Sequence, residues 1–191
     1  MPSPKRAQLL ETAQSLFARE GFKGTAVDKL VAEAGIAKMT LYKAYGTKEE
    51  LILETLRRRD AALRAFLVAE SAKAGPDPEE RVLACFDALE TWSGMPGFNG
   101  CYFVSALMEY GNPDDKARQL AKDHKRHVLD FVTGLCVEAG FEAPEDRARD
   151  LRLLMEGATV AKLTLDQKDS FRRAKEMARL LLSQQTPSAA S

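Results

Sequence analysis

Leu9, Ala13, Leu16 and Phe17 recur at i, i+4, i+7 and i+8, the spacing that lays apolar side chains along one face of an α-helix. A first helix is predicted from about residue 5 to 20, with Gly21 as its stop. Thr25 with Asp28 three residues later reads as a capping box with Asp in place of the usual Glu, and Val27, Leu30, Val31 and Ala34 form the stripe of a second helix ending at Gly35. Residues Lys38 to Tyr45 make a short third helix, with Leu41 and Tyr45 on one face and Lys38, Thr40 and Lys43 elsewhere. Gly46 ends it. Thr47 caps a fourth helix with Glu50 at the capping-box position, and Ile52, Leu56, Leu63, Phe66 and Leu67 carry that helix to about Ser71.

Helical spacing continues to the end. Pro76 and Pro78 precede a helix with Val82, Phe86, Leu89 and Trp92 in register, and the breaker cluster Ser93 to Gly100 precedes a short apolar helix from Cys101 to Tyr110. Leu120, His124, Val128, Phe131 and Leu135 define a long helix that stops near Gly140. Pro144 suits the first turn of the next, in which Leu151, Leu154, Met155, Ala158, Ala161 and Leu165 are apolar. A last helix carries Phe171, Ala174, Ala178 and Leu181. With no alternating β-type run of useful length and no internal repeat, the fold class is all-α with about nine helices.

The 191 residues suffice for one core and a small satellite, and 45% hydrophobic with 29% charged residues is an ordinary globular balance. No run of about 18 apolar residues occurs, which excludes a signal peptide or a membrane span and points to a cytoplasmic protein. Cys85, Cys101 and Cys136 have no CxxC spacing and read as reduced thiols. Net charge is zero, yet residues 1–48 hold eight Lys and Arg against four acids. The resulting +4 suggests an N-terminal segment that faces something anionic.

Thr25 to Tyr45 has the size of a helix-turn-helix. In that motif the second helix enters the major groove, so its outer face is polar and its inner face apolar. The third helix fits, with Lys38, Thr40 and Lys43 free for DNA, Leu41 inward, and the Tyr42 phenol able to reach a phosphate. Thr47 and Lys48 add a helix N-terminus and an ammonium, both attractive to phosphate. The plainer reading of the same residues is a solvated helix face and an ordinary cap.

The run Gly21-Phe22-Lys23-Gly24-Thr25-Ala26-Val27, then Ala34 to Leu51 with Leu41-Tyr42 and Lys48-Glu49-Glu50-Leu51, resembles the DNA-binding domain of TetR-type transcriptional regulators over roughly residues 5–55. The resemblance implies a homodimer in which a larger C-terminal helical domain binds a small effector and the last two helices of each subunit form the interface. It also implies phosphate contacts from Tyr42 and Lys48, a cap on the second helix from Thr25, and base readout by Lys38, Met39, Thr40 and Lys43. Three positions depart from the family pattern: Ala37 replaces a capping Ser, Met39 a Gly, and Ala44 a His or other aromatic. Gly100-Cys101 opening a short helix that contains Glu109 is similar to one subgroup of these regulators.

The expected organisation is a helix-turn-helix DNA-binding domain at 1–48, an effector-binding and dimerisation domain at 49–185 joined through the fourth helix, and a flexible tail at 186–191. The partners are a double-stranded DNA operator, a small apolar or aromatic effector and a second copy of the chain, with no membrane. Phe86, Trp92, Phe103, Tyr110, His124, Phe131, Met155 and Thr159 are the candidate effector contacts, a mainly hydrophobic set with a few polar groups. Leu154, Ala158, Ala161, Leu165, Phe171, Ala174, Ala178 and Leu181 are the candidate dimer interface. No catalytic motif is present, so no catalytic residue, cofactor or metal is assigned. Asp123, His124 and His127 could approach a metal but lack a fourth ligand, and Cys101 could sense oxidation. The alternative function is a helical carrier or bundle enzyme whose N-terminal helices are only structural.

Overall fold

The computed structural model describes residues 4–184, so the tail expected at 186–191 lies outside it. The described residues form nine α-helices and no strand: α1 (Pro4–Glu20), α2 (Val27–Glu33), α3 (Lys38–Tyr45), α4 (Lys48–Ala72), α5 (Pro78–Ser93), α6 (Tyr102–Glu109), α7 (Lys116–Glu138), α8 (Pro144–Thr164) and α9 (Ser170–Ser183). Boundaries follow local chemistry. Gly21 ends α1 at φ +80, a left-handed conformation that a side chain would strain. The Thr47 hydroxyl accepts from the Glu50 amide at 3.1 Å, and Asp77 accepts from the Glu79 amide at 2.9 Å ahead of α5, which starts on a proline.

Packing divides the described chain into two compact units: residues of Met1–Ala62 with Gly97–His124, and Leu63–Pro96 with Lys125 onward. This differs from the expected division at residue 48, because α6 and the start of α7 pack with the N-terminal helices. In the first unit the fully buried side chains Leu9, Leu16, Phe17, Phe22, Leu30, Leu41, Leu51 and Leu56 share a core with Tyr102, Phe103 and Ala121. The apolar stripes read for α1 to α3 face this core, as do Ile52 and Leu56 of α4, whereas Leu63, Phe66 and Leu67 of α4 pack in the second unit with Ala88 and Val128.

The second unit is built on α5, α8 and α9, whose inner faces bury Val82, Phe86, Leu151, Met155, Phe171 and Ala178 together with Val132 and Leu135 of α7. Charged groups bind its rim. Lys175 pairs with Asp87, Arg81 with Glu138, and Glu156 with both Lys125 and Arg152. Burial works against the charge of Glu156, but the two cations more than offset it and hold the carboxyl below its ordinary range.

Candidate nucleic-acid interface

The second and third helices are fixed on α1 by Leu30, Ala34 and Leu41, each with no exposed surface. That burial sets which side of α3 faces out. Met39 is 64% exposed and Tyr42 42% exposed; Lys38 and Lys43 are exposed and Thr40 is half-buried. The five readout and contact candidates of α3 therefore lie on its solvent side or at its margin. Lys38 pairs with Asp28 at 2.8 Å, and the hydrogen bond to that carboxylate raises its pKa. Tyr45 turns its hydroxyl to the Arg6 carbonyl at 3.3 Å.

The N-termini of α3 and α4 have different caps. That of α3 has Ala37 at the cap position and no side-chain cap, leaving its first amides open to an anion or water. That of α4 is capped by Thr47, and beside it the Lys48 ammonium donates to the Lys23 carbonyl at 3.2 Å. Partial burial lowers the Lys48 pKa, against the opposing pull of Glu49 and Glu109. Lys48 thus stands at the junction of α4 with the turn between α1 and α2.

Thr25 does not have its expected role. The cap position of α2 is Ala26, with no side-chain cap, and Thr25 is fully buried with its hydroxyl donating to the Gly21 carbonyl at 2.7 Å. The left-handed turn at Gly21 brings that carbonyl within reach, so Thr25 closes the α1–α2 turn and presents nothing to DNA.

Residues 9–55 match the bacterial regulatory proteins of the tetR family. The chain is also similar to SCO4454, a TetR-family transcriptional regulator from Streptomyces coelicolor: the crystal structure of that protein is 30% identical, covers 93% of this chain and 94% of its own, and gives a TM-score of 0.88. This chain belongs to the TetR family of transcriptional regulators. The HTH-type transcriptional regulator YjdC of Escherichia coli (strain K12) is 24% identical over 157 residues, 80% of each chain. The HTH-type transcriptional repressor AcnR of Corynebacterium glutamicum is 36% identical over 70 residues, 37% of each chain. As a TetR-family member the chain is a DNA-binding regulator, and the relatives named are regulators of transcription rather than enzymes.

In this TetR-family chain the eight expected effector residues are divided between the two units. In the first, Phe103 stacks on His124 with ring centroids 3.5 Å apart, and His124 Nδ1 lies 2.8 Å from Asp60 Oδ1. Tyr110 is half-buried near Phe22 at 6.1 Å, and lines a cavity of about 310 Å³ with Ile52, Leu53 and four carboxylates. In the second, Phe86 and Met155 are buried in one cluster with Phe131 against it. Trp92 rests on Phe66 at 5.4 Å, and Thr159 donates to the Met155 carbonyl at 2.9 Å. Among the described residues no group of three or more His, Cys, Asp and Glu could hold a metal ion. Cys101 is half-buried at the cap position of α6.

The candidate dimer residues lie on different faces. Ala158, Phe171, Ala174 and Ala178 are buried inside their own unit. Leu154, Ala161 and Leu181 are half-buried and Leu165 is exposed. The outward apolar residues of α8 and α9 are Leu153, Val160, Leu163, Met177 and Leu180, which the reading of a single stripe per helix passed over.

Proposed function

We propose that this regulator is a ligand-responsive repressor, a homodimer that places α3 of each protomer in successive major grooves of a two-fold related operator and lets go when a small apolar or aromatic effector binds. The observation that carries the DNA reading is the solvent face of α3, where Met39, Tyr42 and Lys43 stand out beside the uncapped α3 N-terminus, with Lys48 at the start of α4. Tyr42 and Lys48 supply phosphate contacts, and Lys38, Met39, Thr40 and Lys43 read bases. The exposed apolar side chains of α8 and α9 support dimerisation, which in turn fixes the two-fold relation of the half-sites. Cytoplasmic location accords with this role, and no helix of the described residues is long and apolar enough to cross a membrane.

The candidate effector contacts are kept within each unit by itself: Phe103, Tyr110 and His124 in the first, and Phe86, Trp92, Phe131, Met155 and Thr159 in the second. An effector acts only through a difference in affinity for DNA-competent and DNA-incompetent states, and a coupling of about 1 to 3 kcal/mol lowers operator affinity roughly 5- to 150-fold. Linkage makes the effect reciprocal. Titrating a compound into the protein with and without operator tests this: weaker binding in the presence of operator supports the reading, and equal affinities refute it. Substituting Thr40 or Lys43 should change which operator is preferred, and an unchanged preference in both refutes base readout by α3.

A further inference from the structure

The turn between α1 and α2 has its backbone groups taken up by side chains from distant parts of the first unit. Glu109, the last residue of α6, reaches it with both carboxylate oxygens: Oε1 accepts from the Phe22 amide at 2.9 Å and Oε2 from the Lys23 amide at 2.7 Å. Glycine at residue 21 leaves room for this placement, since a Cβ there would stand 2.8 Å from Glu109 Oε1 and the carboxylate would have to shift. Within the same turn the Lys23 carbonyl accepts from the Lys48 ammonium at 3.2 Å, and upstream the Ala18 carbonyl accepts from Asn99 at 2.7 Å. The end of α6 is itself held. Arg118 of α7 donates to the carbonyls of Leu107 at 2.9 Å and Tyr110 at 3.0 Å, on either side of Glu109.

The position sets opposing fields on a carboxylate, with the Lys48 cation attracting it. It lies at the C-terminal, negative end of α1 and on the unit that approaches polyanionic DNA, both of which oppose it. Two hydrogen bonds to an ionised acceptor offset that cost and fix the turn in one geometry. The Lys23 carbonyl is part of that turn, so whatever holds the Phe22 and Lys23 amides also holds the carbonyl that orients Lys48. We propose that Glu109 is a positioning residue for DNA binding: its clasp on the Phe22 and Lys23 amides fixes the turn that aims the Lys48 ammonium at a phosphate. The proposal rests on the phosphate-contact reading of Lys48 given above. It separates the electrostatic sign of the residue, which opposes DNA, from its geometric effect, which favours it.

Glu109→Gln keeps the shape and one acceptor but sets an NH₂ group against a backbone amide, so one donor of the turn loses its partner. Operator affinity should fall roughly tenfold per subunit, about 1.4 kcal/mol, and non-specific duplex should weaken too, by less where the lost negative charge compensates, because a phosphate contact carries no sequence information. Lys48→Ala should weaken binding and reduce the slope of log K against log salt by about 1. Because Glu109 acts through Lys48, the double variant should bind operator no more weakly than Lys48→Ala alone. Hydrogen exchange at Phe22 and Lys23 supplies a readout independent of DNA and should quicken in Glu109→Gln, with amides of the second unit unchanged.

Wild-type operator affinity in Glu109→Gln alongside a weakened Lys48→Ala refutes the clasp alone, as do fully additive losses in the double variant or unaltered exchange at the two amides. Wild-type binding by Lys48→Ala refutes the phosphate contact on which the clasp depends.

Discussion

Leu180→Ala tests the dimer interface at a position where folding and association separate. Helix α9 carries two apolar faces. Phe171, Ala174, Ala178 and Leu182 point into the core of their own unit, whereas Met177 is 53% and Leu180 65% exposed. Truncating Leu180 therefore removes surface that the isolated protomer leaves in water, and alanine keeps full helix propensity. Complete burial of a Leu side chain contributes about 1.5 to 3 kcal/mol, and scaling by the 65% still exposed leaves about 1 to 2 kcal/mol for association. A two-fold interface loses the group from both protomers, so the dimer weakens by about 2 to 4 kcal/mol, roughly 30- to 900-fold in dissociation constant. Sedimentation velocity across a nanomolar to micromolar series measures this, with urea unfolding of the dissociated variant as the check that the protomer stays intact. An unchanged dissociation constant, or a wild-type protein that is monomeric at micromolar concentration, refutes the assignment of this face.

Three further outcomes follow from burial. Phe22 is fully buried, 4.8 Å from Tyr102 and 5.5 Å from Phe17 between ring centroids, so Phe22→Ala should cost about 3 to 5 kcal/mol in urea unfolding, and a loss below about 1 kcal/mol would show that its ring is not core. Burial pushes the Cys85 thiol up to about 12 and the Cys136 thiol up to about 11 from an ordinary 9.0, so both stay protonated in the fold. Half-buried Cys101 should react first with an alkylating reagent at pH 8, and the other two only on unfolding. The unfolded chain ionises both buried thiols above about pH 9 while the fold does not, so stability present below that pH declines through about pH 11 to 12; a flat unfolding free energy across that range contradicts their burial.

Helix ends were the most legible part of the sequence, because they depend on local chemistry. Lys38–Tyr45 is the third helix in both readings, bracketed by Gly35 and Gly46, which adopt φ +61 and +77. Thr47 caps α4 as its spacing with Glu50 implies. Thr25 misled for the same local reason: Asp28 at capping-box spacing looks like a cap, whereas the hydroxyl is taken by a carbonyl four residues upstream in a turn whose shape depends on Gly21. Long-range partners were not legible at all. Glu109 meets amides 87 and 86 residues away, and a backbone amide leaves no mark on composition or periodicity. In α8 and α9 the apolar residues were evident but not their sides, because a helix with two apolar faces has the pattern of one broad stripe. Only packing against α5 and α8 shows that Phe171, Ala174 and Ala178 face inward and Leu180 outward.

The central claim is that α3 and the start of α4 deliver this regulator to specific DNA. A duplex selected from a random-sequence pool by the wild-type protein, then titrated by fluorescence anisotropy against a scrambled duplex over a salt series, tests it most directly. The account predicts log K falling linearly with log salt at a slope near −0.9 per phosphate neutralised, tighter binding to the selected duplex, and loss of that preference in Thr40→Ala with Lys43→Ala. Equal affinity for selected and scrambled duplexes, or a preference that survives those substitutions, would contradict it.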